Sequence, residues 1–189
     1  VVPPIRVMTF NVRFEDEDEA RGWRNRRSDL LDVIRANDPD LTSLQEPDAS
    51  QWADICEQMV GYVPFGVFDD GSIDPEPHGG LFRAERFERC DDGVFWLSLT
   101  PAVPHSLSWD TDWEPRACGW TRLRDRATGR ELLFASTHFD TNALAWLPSA
   151  TTLHHEIDRL ARGAPTIIGG DFNGQTVTVS PFFGGPRPD

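Results

Sequence analysis

The chain has 189 residues, 39% hydrophobic and 26% charged, which suits one globular domain with a substantial core and is too little for two. A net charge of −13, with arginine supplying all 18 basic residues, argues against a protein that coats duplex DNA by neutralising its phosphates. It leaves phosphate chemistry open, because a divalent metal can bring positive charge locally. No stretch approaches the roughly 18 apolar residues of a membrane span. The opening "VVPPIRV" shows no basic-then-apolar leader, although it lacks an initiator Met, so a removed leader stays open. Cys56, Cys90 and Cys118 are odd in number and far apart, which disfavours a disulfide framework or a zinc site. Unpaired cysteines and no leader lean cytoplasmic.

In chain order, "IRVMTFN" at 5–11 alternates as a strand. "EDEDEA" at 15–20 reads as a solvated acidic loop. Residues 24–37 place Leu30, Leu31, Val33 and Ile34 at helical spacing, and "DPD" at 38–40 stops that helix. "LTSLQ" at 41–45 is a short strand that runs into Glu46, and "ASQWADICEQMV" is a second helix. From 61 to 135 the pattern is β-like, in "YVPFGVF", "GGLFRA", "GVFWLSL", "GWTRLRD" and "RELLFAST", with turn signals between. Residues 142–162 form a third helix that Pro148 should open or kink, and "APTIIGG" is a buried strand. The order predicts a single α/β layered domain over 1–189, with helices covering sheet faces.

Four strand ends carry a particular set of polar residues. Asn11 ends the first strand and Glu46 follows "SLQ". His138 and Asp140 close "FASTHFD", and Asp171 and Asn173 close "TIIGGDFN". Rigid strands handing over to loops are where catalytic groups commonly sit. Mg²⁺ prefers oxygen ligands and takes one or two carboxylates, so Glu46 suits it and Asn11 could add a carbonyl. His138 can hydrogen-bond a phosphoryl oxygen, Asp171 can accept a proton from water, and Asn173 can orient water or phosphate. Alone, Asp-x-Asn after a strand is more often a turn whose side chains cap their own backbone.

Taken in order, "TFNVR", "LQE", "STHFD" and "GGDFN" resemble the endonuclease/exonuclease/phosphatase superfamily over about residues 5–175. "W-x-x-R-R" at 23–27, "FWLS-x-TP" at 95–101 and "PRACGWTRLRD" at 115–125 look like a bacterial branch of it. The resemblance implies a four-layer α-β-β-α sandwich with two mixed sheets, and a metal-dependent phosphoesterase. It implies that Glu46 binds Mg²⁺, with Mn²⁺ as a substitute, helped by Asn11. Asp171 would be the general base supported by Asn173, and His138 would touch the scissile phosphate. Asp140 belongs to the same His-x-Asp, and Glu76 falls where some members pair a Glu with that His. Asn11, His138 and Asn173 would contact substrate, a small phosphate ester or lipid head group rather than duplex DNA.

The superfamily closes on a strand carrying Ser-Asp-His, and the tail "GQTVTVSPFFGGPRPD" has no counterpart. The last strands of the second sheet are therefore expected to be missing, and the domain to be incomplete at its C-terminus. Two readings follow. One is a Mg²⁺-dependent hydrolase that cleaves a phosphate mono- or diester by in-line attack of water. The other is a weakened or inactive relative, or a fragment, that acts as a binding module.

Overall fold

A computed structural model describes residues 3–16, 18–68, 76–109 and 114–174. Among these residues, eight strands form two four-stranded sheets. The first has the order β1-β2-β4-β3, from β1 (Val7–Asn11), β2 (Leu41–Gln45), β4 (Glu76–Arg83) and β3 (Tyr62–Phe68). The second has the order β5-β6-β7-β8, from β5 (Phe87–Trp96), β6 (Ala117–Asp125), β7 (Glu131–His138) and β8 (Thr166–Asp171). Both are mixed: β1 runs parallel to β2 and β7 parallel to β8, while the other pairings are antiparallel. Helices α1 (Trp23–Asn37) and α2 (Ala49–Gln58) cover the first sheet, and α3 (Ala143–Ala161) covers the second. This is the expected four-layer α-β-β-α sandwich. The expected shortfall of closing strands concerns residues from 175 on, outside the described ones.

Three clusters fill the three gaps between layers. Leu30, Leu31 and Ile34 of α1 and Trp52 and Ile55 of α2 pack on Leu44 and Leu81. Leu153 and Ile157 of α3 pack on Cys118, Leu133 and Ala135. Between the sheets lie Leu41, Phe65, Phe82, Phe87, Leu123, Leu132 and Phe134. Strand alternation explains the sorting. On β2, Leu41, Ser43 and Gln45 face the other sheet, while Leu44 faces the helices. On β7, Phe134, Ser136 and His138 face inward, while Leu133 and Ala135 face α3. The gap between the sheets therefore grades from apolar to polar along the strands.

At the polar end the sheets come very close. Ser43 Oγ donates to Ser136 Oγ at 2.7 Å and accepts from Gln45 Nε2 at 2.7 Å. A Cβ on Gly169 of β8 would lie 2.6 Å from Ser43 Cβ. Gly66 of β3, Gly79 of β4 and Gly119 of β6 also meet across the gap.

Helix ends follow the local chemistry. Asp48 and Gln51 form a capping box at the start of α2. Asp38, with φ +46°, ends α1, and its carboxylate takes the guanidinium groups of Arg6 and Arg83. Gly22 gives α1 no side-chain cap, and Glu15 Oε1 accepts the Trp23 N–H at 2.9 Å instead. The acidic run is thus more than a solvated loop, since Asp16 and Asp18 also pair with Arg21. Helix α3 continues through Pro148. Proline there forfeits one intrahelical bond, while a buried stripe from Ala145 to Ala161 holds the helix on its sheet. The cysteines are free, and burial pushes the Cys56 thiol up to about 11.

Gly119→Ala tests the close approach. Its Cβ would stand 2.6 Å from His78 O and 2.8 Å from Gly66 Cα. The expected loss is about 1–3 kcal/mol of unfolding free energy in urea at constant m-value. An unchanged midpoint would show that the sheets can part without cost.

Candidate active site

Parallel pairing brings the site together. In a parallel pair both C-terminal ends emerge on the same edge, and the registers Asn11↔Gln45 and His138↔Asp171 bring the ends of each pair level. Because the inward faces of β2 and β7 touch, the four ends converge. Asn11 Nδ2 donates to Glu46 Oε1 at 2.7 Å and to Asp171 Oδ2 at 3.2 Å. His138 Nε2 lies 3.9 Å from Glu46 Oε1 and 4.0 Å from Asp171 Oδ2.

Glu46 should, by alternation, point away from the face that Gln45 uses. Its φ of +63° breaks the alternation, and its carboxylate meets Asn11 instead. Such a backbone costs on the order of 1–3 kcal/mol and persists where the surroundings impose it. Asn173, at φ +49°, is also left-handed. Its N–H donates to Asp171 Oδ1 at 3.0 Å, so Asp-x-Asn is a turn and a site element at once. Asn173 Nδ2 donates to Phe139 O at 2.8 Å and lies 3.0 Å from His138 Nε2. That donor assigns the Nε2 lone pair and leaves the ring proton on Nδ1. Nδ1 lies 3.4 Å from Arg116 Nη1. Two donors facing each other suit an anionic oxygen that accepts from both.

Asn11, Glu46, His138, Asp171 and Asn173 thus meet in one cluster. Asp140 does not join it. Its side chain is buried, with Oδ1 accepting from Asn142 N at 2.7 Å and Oδ2 from Ser108 Oγ at 3.3 Å, and it holds the turn into α3. Glu76 opens β4, and its side chain lies outside what the structure describes. Sequence reading missed Arg116, Phe14 and His78, which line a cavity of about 720 Å³ with Glu46, His138 and Asn173. Arg116 stands in the quoted "PRACGW", just before β6, and that is the one signal that could have marked it.

The donor set fits a hard divalent cation. Two carboxylates approach one amide, and the histidine beside them is held neutral, so negative charge is left uncompensated there. Among the described residues no three His, Cys, Asp or Glu side chains form a metal cage, whereas Mg²⁺ that keeps its waters needs only one or two carboxylates. Asn11 Oδ1 accepts the Arg13 N–H at 2.9 Å, so the amide rather than the carbonyl faces Glu46.

Burial first, and then Arg116, hold His138 below its usual 6.5, against the opposing pull of Asp171 and Glu46. The folded state binds fewer protons here than the unfolded chain. The resulting stability is full above 6.5 and is lost as pH falls from there through the lower folded value. In metal-free buffer, unfolding free energy should fall more between about pH 7.5 and about pH 5.5 for the wild type than for His138→Gln. Equal losses would contradict the depressed pKa.

The Endonuclease/Exonuclease/phosphatase family model matches residues 8–187. A mannosyl-6-phosphatase from Bacteroides thetaiotaomicron superposes with a TM-score of 0.83 at 33% identity, over 95% of this chain and 70% of that one. The catalytic domain of human Nocturnin superposes with a TM-score of 0.70 at 21% identity, over 98% of this chain and 70% of that one, which speaks to the fold alone. An uncharacterized protein of Acanthamoeba polyphaga mimivirus is 26% identical over 165 residues, 80% of this chain, and the match spans 59% of the viral protein's length. With its four strand ends converged in one cluster, the chain belongs to the Endonuclease/Exonuclease/phosphatase family, whose members act on phosphate esters.

Proposed function

We propose that this protein hydrolyses a small phosphate monoester of a sugar or similar polyol with the help of Mg²⁺ or Mn²⁺. One observation carries the reading: the Asn11 amide bridges Glu46 and Asp171 beside His138 and Arg116. Glu46, oriented by Asn11, would hold the metal, which when bound supplies Lewis-acid stabilisation of charge on the phosphoryl group. Arg116 and His138 Nδ1–H donate to phosphoryl oxygens. Asp171 Oδ2 accepts the proton of the attacking water, its carboxylate already oriented by Asn11 and the Asn173 N–H.

Cavity size and charge support the substrate class. A volume of about 720 Å³ leaves space for the alcohol beyond a phosphate. Phe14 is 59% exposed and lines this cavity, as do Asp48 and Glu114. An apolar ring face with carboxylates as acceptors suits a hydroxyl-rich ring, and the net charge of −13 disfavours a polyanionic duplex. The similar mannosyl-6-phosphatase agrees with this class.

Mannose 6-phosphate, p-nitrophenyl phosphate and bis-p-nitrophenyl phosphate, each with Mg²⁺ or EDTA, test the reading. Turnover should require metal and favour the sugar monoester. Asp171→Asn should lower kcat by about 10²–10⁴-fold, and Glu46→Gln should weaken Mg²⁺ binding measured by calorimetry. A folded wild type without metal-dependent turnover would favour the noncatalytic binding module instead.

A further inference from the structure

The Trp-x-x-Arg-Arg run at 23–27 plays no direct part in this site. Trp23 Nε1 and Arg27 Nη1 both donate to Asp54 Oδ2 at 2.8 Å, which ties α1 to α2. Arg26 faces the other way and does not line the cavity. Its Nη1 donates to Val12 O, and its Nη2 donates to Arg13 O and, at 2.8 Å, to Phe14 O. Three consecutive carbonyls of the loop after β1 thus converge on one guanidinium. Gln51 Nε2 of α2 adds a second donor to Arg13 O at 3.2 Å.

We infer that Arg26 is a positioning residue, which sets the 12–14 loop so that Asn11 turns its amide, not its carbonyl, toward Glu46 and Asp171. The inference rests on the phosphoesterase reading for its effect on rate. Arg13 sits at φ +59°, and its N–H reaches back to Asn11 Oδ1 at 2.9 Å. An asparagine amide presents donor and acceptor ends of nearly the same shape, so the partner of one end decides where the other points. Once the loop is released, Oδ1 loses that donor and the side chain can rotate its carbonyl toward two carboxylates. The same clamp sets the backbone that carries the Phe14 ring at the cavity. A planar guanidinium has the donors to hold three carbonyls at fixed angles, and a lysine ammonium does not match that fork.

The test compares Arg26→Met and Arg26→Lys with Arg27→Met, which removes the neighbouring arginine from the surface pair with Asp54. Activity is read on p-nitrophenyl phosphate with Mg²⁺. Independently, the Asn11 side-chain NH₂ resonance, identified by its absence in Asn11→Asp, is read by NMR without metal. Arg26→Met should lower kcat by about 10- to 100-fold, the usual cost of losing the group that orients a ligand, with KM within about twofold. The NH₂ resonance should move toward that of a free amide, and backbone amides 12–14 should exchange faster. Arg26→Lys, the variant better placed to fold, should fall between, and Arg27→Met should match the wild type in all readouts. An unmoved Asn11 resonance with wild-type kcat in folded Arg26→Met or Arg26→Lys would overturn the inference, as would equal losses in Arg27→Met. A wild type without hydrolysis would sink the phosphoesterase reading, and the resonance would then decide the positioning role alone.

Discussion

Ser43 on β2 and Ser136 on β7 hydrogen-bond across the gap between the sheets at 2.7 Å, and Gly169 of β8 stands against Ser43 with no space for a Cβ. Sheets faced with full-sized side chains stack about 10 Å apart. Here the inward faces of the strands lose bulk toward one end, from Leu41 and Phe134 to Ser43 and Ser136. The sheets can close there because nothing large stands between them. Each buried hydroxyl is satisfied by its opposite number or by the Leu44 carbonyl, so the contact carries little desolvation cost and a firm register. That register sets the separation of Glu46 from His138, which lie on different sheets and 92 residues apart.

The clustered polar groups then sit in an imbalance of charge. Two carboxylates share one amide, burial holds the histidine beside them below its usual pKa, and Arg116 stands by the ring and pairs with the exposed Glu114. Such an arrangement repels anions on its carboxylate side and attracts them on its arginine side. A cation held by Glu46 would offset the first effect and let a phosphate approach. The strained backbone at Glu46 belongs to the same design, since the carboxylate reaches this shared point only by breaking strand alternation.

Much of this could be read from residues alone, and the exceptions have physical causes. The strands that carry the site are short apolar runs ending in polar residues, and β2 is buried along its whole length, so Asn11, Glu46, His138, Asp171 and Asn173 stood out. β5 begins at Phe87, well before the apolar "GVFW", because its first half is an outward-facing edge with a bulge between Arg89 and Asp91 and no apolar alternation. Asp140 shares the His-x-Asp spacing, but β7 stops at His138, and the aspartate falls in a turn with backbone to satisfy. Arg116, Phe14 and Arg26 come from loops and a helix whose roles arise from contacts distant in sequence. No local pattern encodes such a contact.

The glycine-lined approach of the sheets has a consequence for how such a protein can change. A floor this tight admits almost no variation, since a methyl group added at Gly66, Gly79 or Gly119 pushes on backbone. The rim is built differently, from Phe14, His78 and Glu114 in separate stretches of chain. Alterations there can reshape what the cavity admits without moving Glu46 against His138. On the phosphoesterase reading, chemistry and selectivity would be carried by separable parts, and a lineage built on this frame could exchange its alcohol while keeping its way of handling phosphate.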